Sequence, residues 1–319
     1  MEATVVEDCR GVLQVYSNGT ITRSQKPSFV APFEDDGRVL SKDVVFEPSL
    51  GLELRLYIPA LVVTTKLPIF VYFHGGGFCI GSRTWPNFHN YCLRLAASLN
   101  AIVVAPDYRL GPEHRLPDAL DDGFWALRWI RAQAAAAGSS AAEPWLADHA
   151  DFARVYVSGD SAGGSIAHHV SVRAQSEDWG QMKIKGYVHL MAFYGGEDRK
   201  PSEAMCPTDA RLNLELNDRF WRLSLPVGAN RDHPICNPLA PGAPCLSNVA
   251  LPPVLVVAGG RDLLRDREIE YAEVLKSSGK EVELAVFEEE EHGFFTLTPN
   301  SPASGRLMER IIQFMKAHP

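Results

Sequence analysis

The sequence lacks any long hydrophobic run, since no apolar stretch approaches the roughly 20 residues that a bilayer-spanning helix needs. Its net charge is −8, so it also lacks the basic surface expected of a protein that binds nucleic acid or an anionic membrane. The first residues, MEATVVED, lack the basic-then-apolar order of a secretory signal. Six cysteines are present, but none has zinc-site or C-x-x-C spacing. We therefore expect a cytoplasmic protein with reduced, mostly buried thiols and no nucleic-acid partner.

A glycine-rich turn carries the first candidate catalytic residue. The segment 155–164 reads VYVSGDSAGG, in which a β-branched and aromatic run breaks into Gly-x-Ser-x-Gly. This spacing is typical of a serine on a sharp strand-to-helix turn, where glycines let backbone segments approach more closely than a Cβ allows. Helix-forming residues follow at 166–174. We therefore predict that Ser161 is a nucleophile, with an ordinary glycine turn as the alternative.

A serine nucleophile needs a base, and the base needs a carboxylate that orients it. Asp262 follows a predicted buried strand at 255–260, and His292 follows another at 282–287. Both therefore fall in loops at strand ends, where ligands bind in an open parallel sheet. We predict His292 as the base and Asp262 as its partner. The acidic run 288–291 also suggests the hypothesis that negative charge tunes His292.

Three consecutive glycines lie upstream, in the segment HGGGF at 74–78. Such a run loses much conformational freedom on folding. Because it follows a predicted central strand at 68–73, a structural or functional role of the glycines must offset this cost. Glycines allow several backbone amides to converge on one oxygen, and each such donor stabilises a transition state by about 3–4 kcal/mol. We predict an oxyanion loop here, with a flexible turn as the alternative.

Segments that match strands and helices alternate along the chain. The predicted strands are 69–73, 102–105, 155–158, 187–192, 254–258 and 282–287, and the predicted helices are 88–99, 118–137, 161–175, 264–278 and 303–316. Two segments with alternating apolar and polar residues, 42–46 and 52–58, predict an antiparallel hairpin at the edge. The pattern predicts an α/β fold with a mostly parallel central sheet flanked by helices on both faces.

The segment 197–250 interrupts this alternation, because it is rich in proline and contains a short amphipathic stretch at 214–225. We predict that it is an insertion which, with residues 1–38, forms a lid on one catalytic domain spanning 1–319. Such a lid would exclude water and supply an apolar wall for the substrate. The candidate substrate-binding residues are Phe78, Cys79, Phe220, Trp221 and Leu225, and core packing is the alternative role for each.

Four motifs together resemble those of a known family. They are HGGGF at 74–78, DYRLGPEHRLP at 107–117, GDSAGG at 159–164 and EHGF at 291–294. With them the chain resembles the hormone-sensitive-lipase-like branch of the α/β-hydrolases, and within it the plant carboxylesterases, over essentially its full length. The segments 6–20, 220–226 and 264–267 are most similar to the carboxylesterase 15 type, a subgroup associated with hydrolysis of strigolactone signals.

The resemblance implies an α/β-hydrolase fold and a serine carboxylesterase that hydrolyses a small apolar ester through an acyl-enzyme intermediate. It implies Ser161 as the nucleophile, His292 as the base and Asp262 as the partner of the base. The implied oxyanion hole consists of the amides of Gly76, Gly77 and Ala162. No metal or organic cofactor is expected, and the chain is expected to be a monomer or a dimer.

Two non-hydrolytic members of the family remain as alternatives. Gibberellin receptors resemble this scaffold but lack the catalytic histidine, which this chain keeps as His292. Isoflavanone dehydratases use the scaffold for water elimination and tend to carry threonine at the nucleophile. The chain departs from the commonest family pattern at Gly111, where alanine is usual, and at Ser165, where asparagine is usual. Neither change removes a catalytic group, so we expect ester hydrolysis.

Overall fold

The computed structural model of the protein describes residues 3–24, 36–60 and 65–319, so residues 1–2 and 25–35 of the predicted lid lie outside it. The described residues form two sheets. The small one has three strands, β1 (Val5–Cys9), β2 (Leu13–Tyr16) and β3 (Ile21–Arg23). The large one has eight, β4 (Val39–Glu47), β5 (Leu52–Pro59), β6 (Leu67–Phe73), β7 (Ile102–Pro106), β8 (Ala150–Asp160), β9 (Ile184–Leu190), β10 (Val254–Gly259) and β11 (Val282–Phe287).

The strand order in the large sheet is β11-β10-β9-β8-β6-β7-β5-β4. Strands β6 to β11 run parallel to one another, whereas β5 pairs antiparallel with β7 and with β4 at one side of the sheet. The parallel strands are almost continuously apolar, as in VLVVAG of β10, because helices cover both of their faces. The predicted α/β fold and the predicted antiparallel hairpin are therefore confirmed.

Nine α-helices lie in the described part of the chain. They are α1 (Pro86–Leu99), α2 (Asp118–Ala136), α3 (Pro144–His149), α4 (Ala162–Arg173), α5 (Pro201–Ala204), α6 (Leu214–Ser224), α7 (Arg265–Ser277), α8 (Phe294–Leu297) and α9 (Pro302–Ala317). The five long helices predicted from the sequence are all present with shifted ends. Helix α4, for example, begins at Ala162 rather than at Ser161, because Ser161 has a non-helical backbone conformation.

The three-stranded N-terminal sheet was not predicted, because its strands are only three to five residues long and only partly buried. Arginines attach it to the rest of the protein. Arg219 and Arg222 of α6 both pair with Glu7 of β1. Arg23 of β3 donates to the carbonyl oxygen of Cys79 at 2.6 Å and pairs with Glu113. The small sheet is thereby held against both α6 and the loop that follows β6.

The insertion 197–250 contains α5 and α6 and is joined to the core by a buried ion pair. Arg267 of α7 donates to both carboxylate oxygens of Glu203 in α5, at 3.1 and 2.8 Å. The two side chains are 5% and 1% exposed. Arg267 also donates to the carbonyl oxygens of Gly195, Gly196 and Asp198, so its guanidinium group holds the start of the insertion.

We predict that Glu203→Ala lowers the free energy of unfolding by about 3–5 kcal/mol, because it leaves the buried charge of Arg267 without its carboxylate. Urea unfolding at neutral pH measures this. The matched control is Glu215→Ala, which removes the exposed partner of Arg219 and should cost at most about 0.5 kcal/mol. If both variants lost the same free energy of unfolding, burial of the Arg267–Glu203 pair would not add to its contribution to stability.

Candidate active site

Ser161 lies on a sharp turn between β8 and α4. Its backbone has φ 52° and ψ −119°, a conformation that residues other than glycine rarely adopt. The turn presses on the end of β6, since a Cβ added to Gly163 would lie 2.0 Å from the carbonyl oxygen of Phe73. Two backbone hydrogen bonds, from Ser161 to Leu190 and from Phe193 to Ser161, fix the turn over the sheet. The sequence therefore places this serine above the carboxyl end of β8.

Asp262 and His292 meet although 30 residues separate them in sequence. Nδ1 of His292 lies 2.6 Å from Oδ2 of Asp262. The carboxylate is fully buried, and its Oδ1 accepts a hydrogen bond from the amide of Leu264. A carboxylate bonded to Nδ1 fixes the ring orientation and leaves Nε2 for proton transfer.

His292 and Ser161 line one cavity of about 100 Å³. The cavity also contacts Gly76 and Gly77, and its apolar wall consists of Ile80, Trp85, Phe88, Leu212, Leu216, Phe220 and Leu297. Its volume is well below the roughly 300–1,000 Å³ of sites that hold drug-sized ligands. A small ligand therefore fits this form of the protein best.

The predicted oxyanion amides are available to a ligand. In the part of the chain that the structure describes, the amides of Gly76, Gly77 and Ala162 donate no hydrogen bond to another protein group. Gly77 has φ 58°, and a Cβ there would lie 2.2 Å from the ring of Phe220. Glycine is required at this position because helix α6 packs directly onto the loop. Free donors beside a serine hydroxyl can stabilise a developing oxyanion.

Asp160 links this loop to the serine turn. Its Oδ1 accepts a hydrogen bond of 2.5 Å from the hydroxyl of Tyr72, and the amide of Gly75 also bonds to the carboxyl group. Burial raises the pKa of Asp160 above its usual value. The side chain of Asp160 lies in the wall of the cavity and connects β6 to β8.

The five predicted substrate-binding residues have different positions. Phe220 lines the cavity, whereas Phe78, Cys79, Trp221 and Leu225 do not. The ring of Trp221 stacks on Phe193 at a centroid distance of 4.2 Å, and the thiol of Cys79 points to the carbonyl oxygen of Phe220 at 3.7 Å. Burial raises the pKa of the Cys79 thiol, which makes a reactive thiolate unfavourable. These four residues are buried but do not line the cavity.

Several cavity residues were missed from the sequence. Leu212 and Leu216 lie eight and four residues before the predicted Phe220, and this spacing places all three on one face of α6 and the turn before it. That periodicity was a usable signal. Arg10 and Arg211 also line the cavity, but neither belongs to a recognisable motif, so only the tertiary structure reveals them.

Two residues of the acidic run 288–291, which was hypothesised to influence His292, form ion pairs with arginines. Glu289 pairs with Arg261 on the surface. Glu291 approaches Nε of Arg211 at 3.5 Å. The influence of the run on His292 therefore stays a hypothesis.

A second carboxyl group is buried behind Asp262. Glu268 of α7 is 0% exposed, and neither of its oxygens has a hydrogen-bond partner within the described residues. Burial, and then the charge of Asp262, raise the pKa of Glu268 well above its usual value. Burial therefore favours the protonated form of Glu268.

This arrangement predicts a pH-dependent stability. The folded protein keeps the proton of Glu268, whereas the unfolded chain releases it above about pH 4.3. The contribution of Glu268 to stability is therefore complete below that pH and is lost as the pH rises toward the raised pKa. Within this range the loss is at most about 1.4 kcal/mol per pH unit.

Glu268→Gln removes the titration, so the variant should gain stability relative to the unaltered protein between pH 5 and pH 8. Denaturant unfolding of both proteins at the two pH values measures the difference. Buried histidines such as His168 and His189, whose pKa values burial lowers, titrate in both proteins and cancel. A difference that does not change with pH would contradict a raised pKa at Glu268.

A mostly parallel sheet with a nucleophile-type turn after a central strand is the architecture of an α/β-hydrolase. Residues 70–296 match the model of a family described as having the alpha/beta hydrolase fold. The chain belongs to this family.

Plant enzymes of more than one activity are similar to the chain. Tuliposide A-converting enzyme 2, chloroplastic, from Tulipa gesneriana is 36% identical over 99% of this chain and 80% of its own length. The 2-hydroxyisoflavanone dehydratase of Glycyrrhiza echinata is 38% identical over 95% of this chain and 94% of its own. A protein of Arabidopsis thaliana named Probable carboxylesterase 6 is 37% identical over 84% and 79%. The likeness to plant carboxylesterases is thus confirmed.

Solved esterase structures are also similar. An esterase from the archaeon Pyrobaculum calidifontis superimposes with a TM-score of 0.73 at 28% identity, over 90% of this chain and 86% of its own. The chain is therefore an esterase-like α/β-hydrolase. Among the helices that the structure describes, none has the length and apolar character to cross a membrane.

Proposed function

We propose that the protein is a serine carboxylesterase that hydrolyses a small, largely apolar ester through an acyl-enzyme intermediate. The observation that carries this proposal is the cavity that Ser161 and His292 both line, with Asp262 hydrogen-bonded to His292. The free amides of the glycine loop and the similarity to esterases support it. We likewise propose that the N-terminal segment and the insertion 197–250 form the lid of one catalytic domain.

In the proposed mechanism, neutral His292 accepts the proton of Ser161 as its hydroxyl oxygen attacks the ester carbonyl carbon. Asp262 keeps Nδ1 protonated and stabilises the imidazolium ion. The oxyanion receives hydrogen bonds from the amides of Gly76, Gly77 and Ala162. His292 then protonates the leaving alcohol, and a water molecule activated by the same ring hydrolyses the acyl-enzyme.

Water elimination is a second candidate, because the dehydratase relative is 38% identical over almost the whole chain. The same base could remove a proton next to a carbonyl group while the glycine amides stabilise the enolate. Product mass separates the two reactions, since hydrolysis adds one water molecule and elimination removes one. Retention of a serine at position 161 favours hydrolysis.

Strigolactone hydrolysis is the finer prediction, and it rests on the subgroup resemblance of segments such as 220–226. A panel of strigolactones and simple acyl esters would test it, and equal or lower kcat/KM for the strigolactones would count against it. A cytoplasmic location is also still a prediction. Imaging of a fluorescent fusion would test it, because the tuliposide-converting relative is named as chloroplastic.

We predict that Ser161→Ala abolishes turnover of a p-nitrophenyl ester and labelling by a fluorophosphonate probe, because the variant lacks the attacking oxygen. The control is Ser165→Ala, four residues further along, whose hydroxyl bonds to the carbonyl oxygen of Phe193 outside the cavity. Circular dichroism should show both variants folded. Full esterase activity in Ser161→Ala would refute the assignment of the nucleophile.

We predict that Asp262→Asn lowers kcat by about 10³–10⁴-fold, because an amide stabilises the wrong tautomer of His292 and cannot stabilise its charged form. Steady-state kinetics on the same ester measure this. Asp266→Asn is the control, since its carboxylate accepts from the amide of Ser202 and does not line the cavity. Similar losses in both variants would point to misfolding around α7 instead.

A further inference from the structure

One buried asparagine lies in the mostly apolar wall of the active-site cavity. Asn87 lines the same cavity as Ser161 and His292. It is 4% exposed, and its Oδ1 is buried without a hydrogen-bond partner among the described residues. A buried polar group without a partner costs free energy, so its presence in a native structure requires an explanation. A ligand in the cavity would supply the missing partner.

The carboxamide of Asn87 is not held in one orientation by the part of the chain that the structure describes. Neither Oδ1 nor Nδ2 forms a hydrogen bond with another protein group there. Rotation about the Cβ–Cγ bond exchanges the two atoms, and this terminal torsion has broad minima. The rotation breaks no hydrogen bond to the protein. The side chain can therefore offer a ligand either an acceptor or a donor.

The first turn of helix α1 also lies at this cavity. Trp85, Asn87 and Phe88 all line it, and Trp85 stands at the N-cap without a side-chain hydrogen bond to the helix. The first amides of a helix have no partner within the helix, and they lie at the positive end of its dipole. The backbone beside Asn87 thus favours an electron-rich oxygen atom of a ligand.

Two other polar side chains of the cavity have partners within the protein. The hydroxyl group of Thr296 donates to the carbonyl oxygen of Gly293 at 3.0 Å. Asp160 accepts a hydrogen bond from the hydroxyl group of Tyr72. Asn87, by contrast, offers an uncharged and unpartnered group in the same space. The group of a ligand that matches it best is therefore also polar and uncharged.

We propose that Asn87 binds a hydroxyl group of the substrate, a few bonds away from the ester. The preferred substrate is then a small hydroxy ester whose remaining atoms are apolar. A hydroxyl group suits this position because it can donate to Oδ1, or accept from Nδ2 and from the first amides of α1. The inference rests on the proposed esterase function and adds the chemical class of its substrate.

The experiment uses two pairs of esters in which a methyl group replaces the hydroxyl group. One pair, 4-nitrophenyl 3-hydroxybutyrate and 4-nitrophenyl 3-methylbutyrate, places it on the acyl chain. The other, 3-hydroxypropyl butyrate and butyl butyrate, places it on the alcohol. The ratio of kcat/KM, hydroxyl over methyl, is measured for each pair in the unaltered protein and in Asn87→Leu.

Leucine has a similar size to asparagine but no polar atom, and the intrinsic reactivity of the esters cancels between the two proteins. For the pair whose hydroxyl group reaches position 87, the ratio should fall by about fivefold to tenfold in Asn87→Leu. The fall should arise mainly through the KM of the hydroxy ester, since it corresponds to loss of one hydrogen bond. A ratio that stays constant for both pairs would overturn the proposal.

The matched control is Asn217→Leu in helix α6. Asn217 is 1% exposed and its Oδ1 also lacks a partner within the described residues, but it does not line the cavity. This variant should leave both ratios unchanged, and an equal fall in it would contradict a specific role of Asn87. If circular dichroism shows Asn87→Leu to be misfolded, Asn87→Ala replaces it. An unchanged ratio in that variant would equally overturn the proposal.

A binding measurement separates this proposal from the proposed function. Calorimetric titrations of Ser161→Ala and of Ser161→Ala/Asn87→Leu with both hydroxy esters should show a Kd about fivefold to tenfold weaker for one ester in the double variant. Equal affinities for both esters would overturn the hydroxyl site even if the unaltered protein is an active esterase. Conversely, a protein that binds a hydroxy ester through Asn87 but is neither labelled by the fluorophosphonate probe nor active on any ester would refute the esterase function alone.

Discussion

The close approach of the serine turn to the end of β6 is the constraint on which the rest of the site depends. Gly163 has no room for a side chain beside the carbonyl oxygen of Phe73. This contact raises Ser161 above the sheet in a strained conformation and starts α4 immediately after it. The glycine loop continues from β6, so the same contact brings its free amides beside the serine. The candidate nucleophile and the predicted oxyanion donors are thus positioned by one packing interaction.

Helix α6 and the N-terminal sheet both contact the glycine loop that follows β6. Phe220 of α6 packs onto Gly77, while Arg23 of β3 binds the carbonyl oxygen of Cys79 two residues further along the loop. The glycine loop is therefore in contact with the core, with the insertion 197–250 and with the N-terminal sheet. Displacement of α6 would therefore alter the shape of the cavity and the position of the amides together.

The relatives show that one scaffold serves different reactions, including an esterase-type and a dehydratase-type activity. A hydroxyl, an imidazole and a set of amides can support either proton abstraction or nucleophilic attack. What differs between such enzymes is the environment that receives the substrate. In this chain that environment combines an apolar wall with Arg10 and Arg211. Arg10 lies in the turn between β1 and β2 of the N-terminal sheet and Arg211 lies in the insertion 197–250, so neither belongs to the central sheet.

The α/β class, the mostly parallel sheet and the candidate residues Ser161, Asp262 and His292 could all be predicted from the amino-acid sequence. These follow from local patterns, because hydrophobic periodicity and the ends of parallel strands are readable along the chain. The three-dimensional packing is needed to see that Phe220 lines the cavity while Trp221 stacks on Phe193. It likewise brought together Arg10 and Arg211, about 200 residues apart in sequence. Such proximity arises from long-range packing, which no local pattern encodes.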